Sequence, residues 1–157
     1  MRLLSVLLIC FSGLAYSQQA KIINTDQLIK EYHKTNDTTY IINFWATWCK
    51  PCIEELPYFL QLENELINQP FKFLFISLDD SKYRESRVIP FAEKNKMNNV
   101  FILEDKDPNE WIPRVSEEWT GSIPATLIIR NNNPTFHEQK LNYEQLKKSV
   151  AKTKGAQ

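Results

Sequence analysis

Two cysteines three residues apart, Cys49 and Cys52 in the stretch FWATWCKPCIEELP (residues 44–57), are the side chains best suited to covalent chemistry. Three uses compete for such a pair. A structural zinc site takes about four ligands, and the pair supplies two, with His33 and His137 in polar stretches far away. A structural staple across so short a loop removes little entropy from the unfolded chain. That leaves dithiol–disulfide exchange, in which a thiolate attacks a disulfide and a second thiol resolves the mixed intermediate.

The position of the pair suits that chemistry. The apolar, β-rich stretch TYIINFWA (39–46) comes just before it and reads as a buried central strand. Behind it, Ile53, Leu56, Phe59, Leu60, Leu66 and Ile67 recur at helical spacing from Pro51 to about Asn68, with Pro57 expected to kink the helix. The cysteines therefore fall at a helix N-terminus, where free N–H groups and the helix dipole stabilise a thiolate. Cys49 is the expected nucleophile and Cys52, one turn further in, the resolving thiol. Lys50 between them carries a charge that solvent screens.

Other elements complete an α/β pattern. Asn24 with Gln27 resembles a capping box opening a first helix, and Asn142 with Gln145 opens a closing helix to about Lys152. FKFLFISL (71–78) and NVFILE (99–104) read as strands, and residues 82–96 as an amphipathic helix regular from about Val88. DPNEWIPRVSEEW (107–119) predicts a short helix interrupted at Pro113. TLIIR, the turn NNNP and TFHEQK predict an antiparallel edge hairpin beside parallel strands with crossover helices.

Met1-Arg2, an apolar run through Ala15, and the small residues Ala15 and Ser17 match a cleavable secretory signal over residues 1–17, cut after Ser17. Its apolar run of about 13 residues is shorter than the roughly 20 a spanning helix needs, so no stable membrane span is expected after cleavage. Cys10 leaves with it. Residues 18–157 then form one domain. Of 19 basic and 19 acidic residues, loss of Arg2 leaves 18 and 19, so nothing basic draws the protein to nucleic acid or anionic lipid.

WCKPC after an apolar strand, a Pro-containing helix and a later SIPAT together resemble the thioredoxin fold, over roughly residues 20–155. The closer resemblance is to the TlpA/ResA-type exported thiol–disulfide oxidoreductases, because NFWATWCKPCIEELP is similar to their Asn-Phe-Trp-Ala-x-Trp-Cys-x-Pro-Cys-x-x-Glu-x-Pro. The fold so implied is a thioredoxin-like α/β domain with a central mixed sheet and flanking helices. Asn43 stands where cytoplasmic thioredoxins carry a proton-handling Asp, and Asn cannot ionise. The resemblance offers Glu55 instead, which by helical geometry shares a face with Cys52 while Glu54 points elsewhere.

The resemblance also implies a cis bond before Pro124, with Ile123 brought beside Cys49 to pair its backbone with an incoming peptide. Ala125 departs from the Thr common there. Trp48 is expected to shield the sulfurs and form part of the substrate surface, and Trp45 to pack in the core. Trp111 and Trp119 are read as packing around a short helix, and His33 and His137 as surface residues. Asn36-Asp37-Thr38 matches a glycosylation sequon, a three-letter pattern that chance supplies readily.

The expected function is disulfide reduction outside the cytoplasm, in a periplasm: Cys49 attacks, Cys52 resolves, Glu55 relays the proton, and Trp48, Ile123 and Pro124 hold the client. No cofactor or metal beyond the Cys49–Cys52 couple is called for. By resemblance, a membrane-bound partner supplies electrons and a cysteine-bearing protein such as an apocytochrome c is the client. The rivals are a redox-responsive binding module without turnover, and a thioredoxin-fold peroxidase, which needs a peroxidatic Cys with nearby Thr and Arg.

Overall fold

Seven consecutive residues, Thr39–Trp45, are all buried, and the fold is assembled around this strand. The computed structural model describes residues 20–33 and 36–155; the leader read over residues 1–17 lies outside them. In chain order the elements are β1 (Lys21–Ile23), α1 (Thr25–Tyr32), β2 (Thr39–Trp45), α2 (Lys50–Glu65), β3 (Phe71–Ser77), α3 (Ile89–Lys94), β4 (Val100–Leu103), α4 (Pro108–Val115), β5 (Ala125–Arg130), β6 (Asn133–His137) and α5 (Tyr143–Gly155). They form one six-stranded sheet in the order β1-β4-β3-β2-β5-β6. The first four of these pair in parallel, β5 pairs antiparallel with β2, and β6 pairs antiparallel with β5.

Period-two alternation sorts β2 onto two faces. Ile41 and Trp45 pack with Cys52, Leu56, Phe59 and Leu62 of α2, and with Leu146 and Val150 of α5. Tyr40, Ile42 and Phe44 face the other way, against Leu28 and Tyr32 of α1 and Trp111 and Val115 of α4. Asn43 shares the odd-numbered face, so the pleat delivers its amide to α2. Phe44 also stacks on Trp119 at 4.5 Å, and Trp119 meets Trp111 edge-on at 5.3 Å, which makes both tryptophans packing residues as expected.

Both capping boxes form: Asn24 with Gln27, and Asn142 with Gln145. Three details differ from the sequence-based expectation, whereas α3 starts at Ile89, next to the regular start expected near Val88. The segment before α3 winds as a 3-10 turn at Ser81–Tyr83 and a π-helical turn at Arg84–Val88. The three-residue strand β1 is an addition, too short to show a periodicity. Helix α4 runs through Pro113 to Val115, because burial of Trp111 and Val115 outweighs the hydrogen bond that proline removes. β6 starts at Asn133, since Asn131 and Asn132 make the whole turn with φ of 49° and 61°, the left-handed values a two-residue hairpin needs.

Candidate active site

The parallel pairing of β2 and β3 brings their C-terminal ends together, and the loop to α2 starts there. Leu78 N–H donates to the Trp45 carbonyl at 2.8 Å. The Asp79 carboxylate, buried, then takes the Thr47 N–H at 2.9 Å, the Thr47 hydroxyl at 2.5 Å and the Ser77 hydroxyl at 2.7 Å. Asp79 thus fixes the chain two residues before Cys49, and no local sequence pattern marks it out.

Cys49 caps α2, with Pro51 in the first turn where its missing N–H costs nothing. Cys49 and Cys52 are joined as a disulfide, Cα atoms 5.3 Å apart. Cys52 has no exposed surface, whereas Cys49 keeps 5%, so an incoming reagent meets Cys49 first. Trp48 beside it is 63% exposed and lines a shallow surface cavity of about 350 Å³ with Thr47, Arg87 and Phe91. The Arg87 guanidinium lies 4.0 Å over the Tyr83 ring. Trp45 is fully buried and stacks on Phe91 at 5.1 Å, a core role.

Across from the disulfide, the Ile123–Pro124 peptide is cis and the Ile123 carbonyl oxygen lies 3.8 Å from Cys49 Sγ. An oxidised sulfur has no proton to donate, so this is a contact. The preceding loop is held from two sides: the Trp119 indole N–H donates to the Ser122 carbonyl at 2.9 Å, and Glu138 accepts from Thr120 and Ser122. Glu138 is the second site-supporting acid without a sequence signature.

Glu55, on the inner face of α2, has no exposed surface. It accepts from the Asn43 amide at 2.8 Å and from the Leu141 N–H at 2.8 Å, while Asn43 also reaches the Thr126 hydroxyl at 3.4 Å. Burial pushes the Glu55 carboxyl up to about 7, against the opposing pull of the Leu141 N–H, the Asn43 amide and the Lys140 charge. Glu54 points outward and pairs with Lys140 at 2.6 Å. His137 is half-buried, its Nε2 2.6 Å from the Ser149 hydroxyl on α5, which corrects the surface placement read from its polar neighbours. Among the described residues no group of three or more His, Cys, Asp or Glu could hold a metal ion.

The described chain thus carries a cysteine pair at a strand-to-helix junction, facing a cis-proline loop across the same sheet. A model described as the AhpC/TSA family matches residues 17–134, and the chain belongs to that family. It is similar to the thioredoxin-like protein YneN of Bacillus subtilis, 27% identical over 120 residues that cover 74% of this chain and 66% of the relative. It is also similar to the thiol–disulfide oxidoreductase ResA of Geobacillus thermodenitrificans, 28% identical over 91 residues, 58% of this chain and 48% of the relative. The chain thus spans less than two thirds of the length of these curated relatives. A crystal structure of a thiol:disulfide interchange protein of the thioredoxin family from Chlorobium tepidum superposes with a TM-score of 0.62 at 20% identity, over 76% of this chain and 81% of that one. The fold is thioredoxin-like.

Proposed function

We propose that this protein is a thiol–disulfide oxidoreductase that reduces protein disulfides. The observation that carries this reading is the Cys49–Cys52 disulfide itself, with its outer sulfur 3.8 Å from the Ile123 carbonyl of a loop open to a client. In the reduced protein the Cys49 thiolate attacks one sulfur of a client disulfide. A mixed disulfide forms, and the client's other sulfur leaves as a thiolate and takes a proton. Glu55 accepts the Cys52 proton, and the Cys52 thiolate attacks Cys49 Sγ. The second client sulfur departs, two electrons have moved to the client, and the Cys49–Cys52 bond is restored.

Trp48 and the Ile123–Pro124 loop are the surfaces assigned to the client: an exposed aromatic and a backbone edge that suits an extended peptide. We further assign the protein to the outside of the cytoplasm, released as residues 18–157 after cleavage of a signal over residues 1–17, and supplied with electrons by a membrane-bound donor. Among the described residues no helix is long and apolar enough to cross a membrane. The test is single turnover: pre-reduced protein mixed with a peptide disulfide should release peptide thiols in step with loss of its own two thiols. Stoichiometric binding of the peptide with no thiol release would instead favour a redox-responsive binding module.

A further inference from the structure

The loop that faces Cys49 hangs on Glu138, the first residue after β6. Glu138 Oε1 accepts from the Thr120 hydroxyl at 2.6 Å and from the Ser122 N–H at 2.8 Å, and Oε2 accepts from the Thr120 N–H at 3.1 Å. Gly121 between them takes a φ of +98°, which lets the backbone turn so that both neighbours point at one carboxylate. Desolvation raises the Glu138 pKa, but the Thr120 and Ser122 donors outweigh it and hold the carboxyl below its usual range, so the clamp is charged near neutrality. Charge-assisted bonds of this kind are roughly twice as strong as neutral ones.

The clamp has a consequence for where a client can pair. The Ser122 N–H is taken by Glu138, and its carbonyl by the Trp119 indole. Both main-chain polar groups of Ser122 are therefore occupied, whereas the Ile123 N–H has no partner among the described residues. Ile123 is the residue whose carbonyl lies at the outer sulfur. The same exit from β6 reaches the other side of the site, because Leu141, three residues after Glu138, donates its N–H to Glu55.

We propose that Glu138 is a positioning residue for client binding: its carboxylate fixes Thr120 and Ser122 so that Ile123, rather than Ser122, presents its backbone to the client next to Cys49. This rests on the oxidoreductase reading above. Glu138 touches neither sulfur, so its effect falls on docking rather than on the exchange chemistry.

The experiment compares two substrates with the pre-reduced protein of residues 18–157: an extended peptide disulfide, which needs the backbone edge, and neutral hydroxyethyl disulfide, which has no backbone to pair. For Glu138→Ala the half-saturating peptide concentration should rise roughly tenfold or more, as loss of charge-assisted bonds implies. The limiting rate, the hydroxyethyl disulfide rate and the reduction potential of the cysteine couple should move by less than about twofold or its equivalent. Glu138→Gln keeps one acceptor oxygen and should restore part of the peptide affinity. Should Glu138→Ala fail to fold, Thr120→Val removes one bond and should move half-saturation the same way by a smaller factor. An unchanged half-saturation in a folded variant overturns the inference, as does an equal loss on both substrates. Wild-type protein that reduces neither substrate overturns the oxidoreductase reading and takes the inference with it.

Discussion

The Asn43 side-chain amide on β2 donates a 2.8 Å hydrogen bond to the carboxyl of Glu55 on α2, in a pocket with no solvent exposure at Glu55. An amide there orients the acid without competing for its proton. The arrangement leaves Glu55 as a buried titratable group one helical turn beyond Cys52.

Stability should carry the signature of that buried acid. In the unfolded chain Glu55 titrates near 4.5, and in the folded protein near 7. Between these values the folded state holds the extra proton, so stability falls as pH rises through the window and levels off above it. Glu55→Gln is neutral throughout and lacks this penalty. Its stability relative to wild type should improve by on the order of 2 to 3 kcal/mol between about pH 4 and about pH 8. Glu63, which burial also raises to about 7, adds the same sign to both proteins and cancels in the difference. Denaturant titrations of the oxidised proteins at the two pH values check this; a difference that stays flat contradicts it.

The same substitution should alter the kinetics. If Glu55 takes the Cys52 proton, the resolving step in wild type accelerates with a midpoint near pH 7, where Glu55 ionises. In Glu55→Gln that inflection should disappear and the plateau rate fall by about 10²-fold or more. Stopped-flow decay of the mixed disulfide as a function of pH reads both. An unchanged profile removes Glu55 from the proton path.

Asp79 predicts a structural effect at the opposite wall. Asp79→Ala strands the Thr47 N–H and the Ser77 hydroxyl, which the buried carboxylate now satisfies. The expected cost is about 2 to 4 kcal/mol, with most of it recovered in Asp79→Asn only if the amide can still accept from both partners. Urea unfolding of the oxidised variants measures it.

Trp48 should behave in the reverse manner. At 63% exposure it contributes little to folding, so Trp48→Ala should change stability by no more than about 0.5 kcal/mol. Client affinity should fall by roughly tenfold, the loss typical of an aromatic anchor. A variant that binds a peptide client as tightly as wild type would sink the assignment of this surface.

What was readable in the chain followed from local chemistry. Cys49 and Cys52 stand where an apolar strand meets a helix, and the Asn24/Gln27 and Asn142/Gln145 boxes mark helix starts within four residues. The supports of the site were not readable, because they are made across the fold. Asp79 reaches Thr47 from 32 positions away and Glu138 reaches Thr120 from 18, so each looks like an ordinary acid in the chain. Strand β1 is three residues long and exists through its pairing with β4. His137 sits in a polar string, and only the docking of α5 covers it with Ser149.

Cysteine roles can be separated covalently. Cys52→Ser should attack a client through Cys49 and then stall, so a peptide–protein adduct accumulates under non-reducing conditions, while Cys49→Ser should give none. Equal adducts from both variants would reverse or erase the assignment of nucleophile and resolving thiol.

The most direct test of the account is the reduction potential of the Cys49–Cys52 couple, obtained by equilibrating the protein against dithiothreitol mixtures and trapping free thiols. A client reductant should equilibrate near or below the value typical of thioredoxin, about −270 mV. A potential near about −120 mV would mark a disulfide-installing oxidant, and a pair that never equilibrates would contradict dithiol exchange altogether.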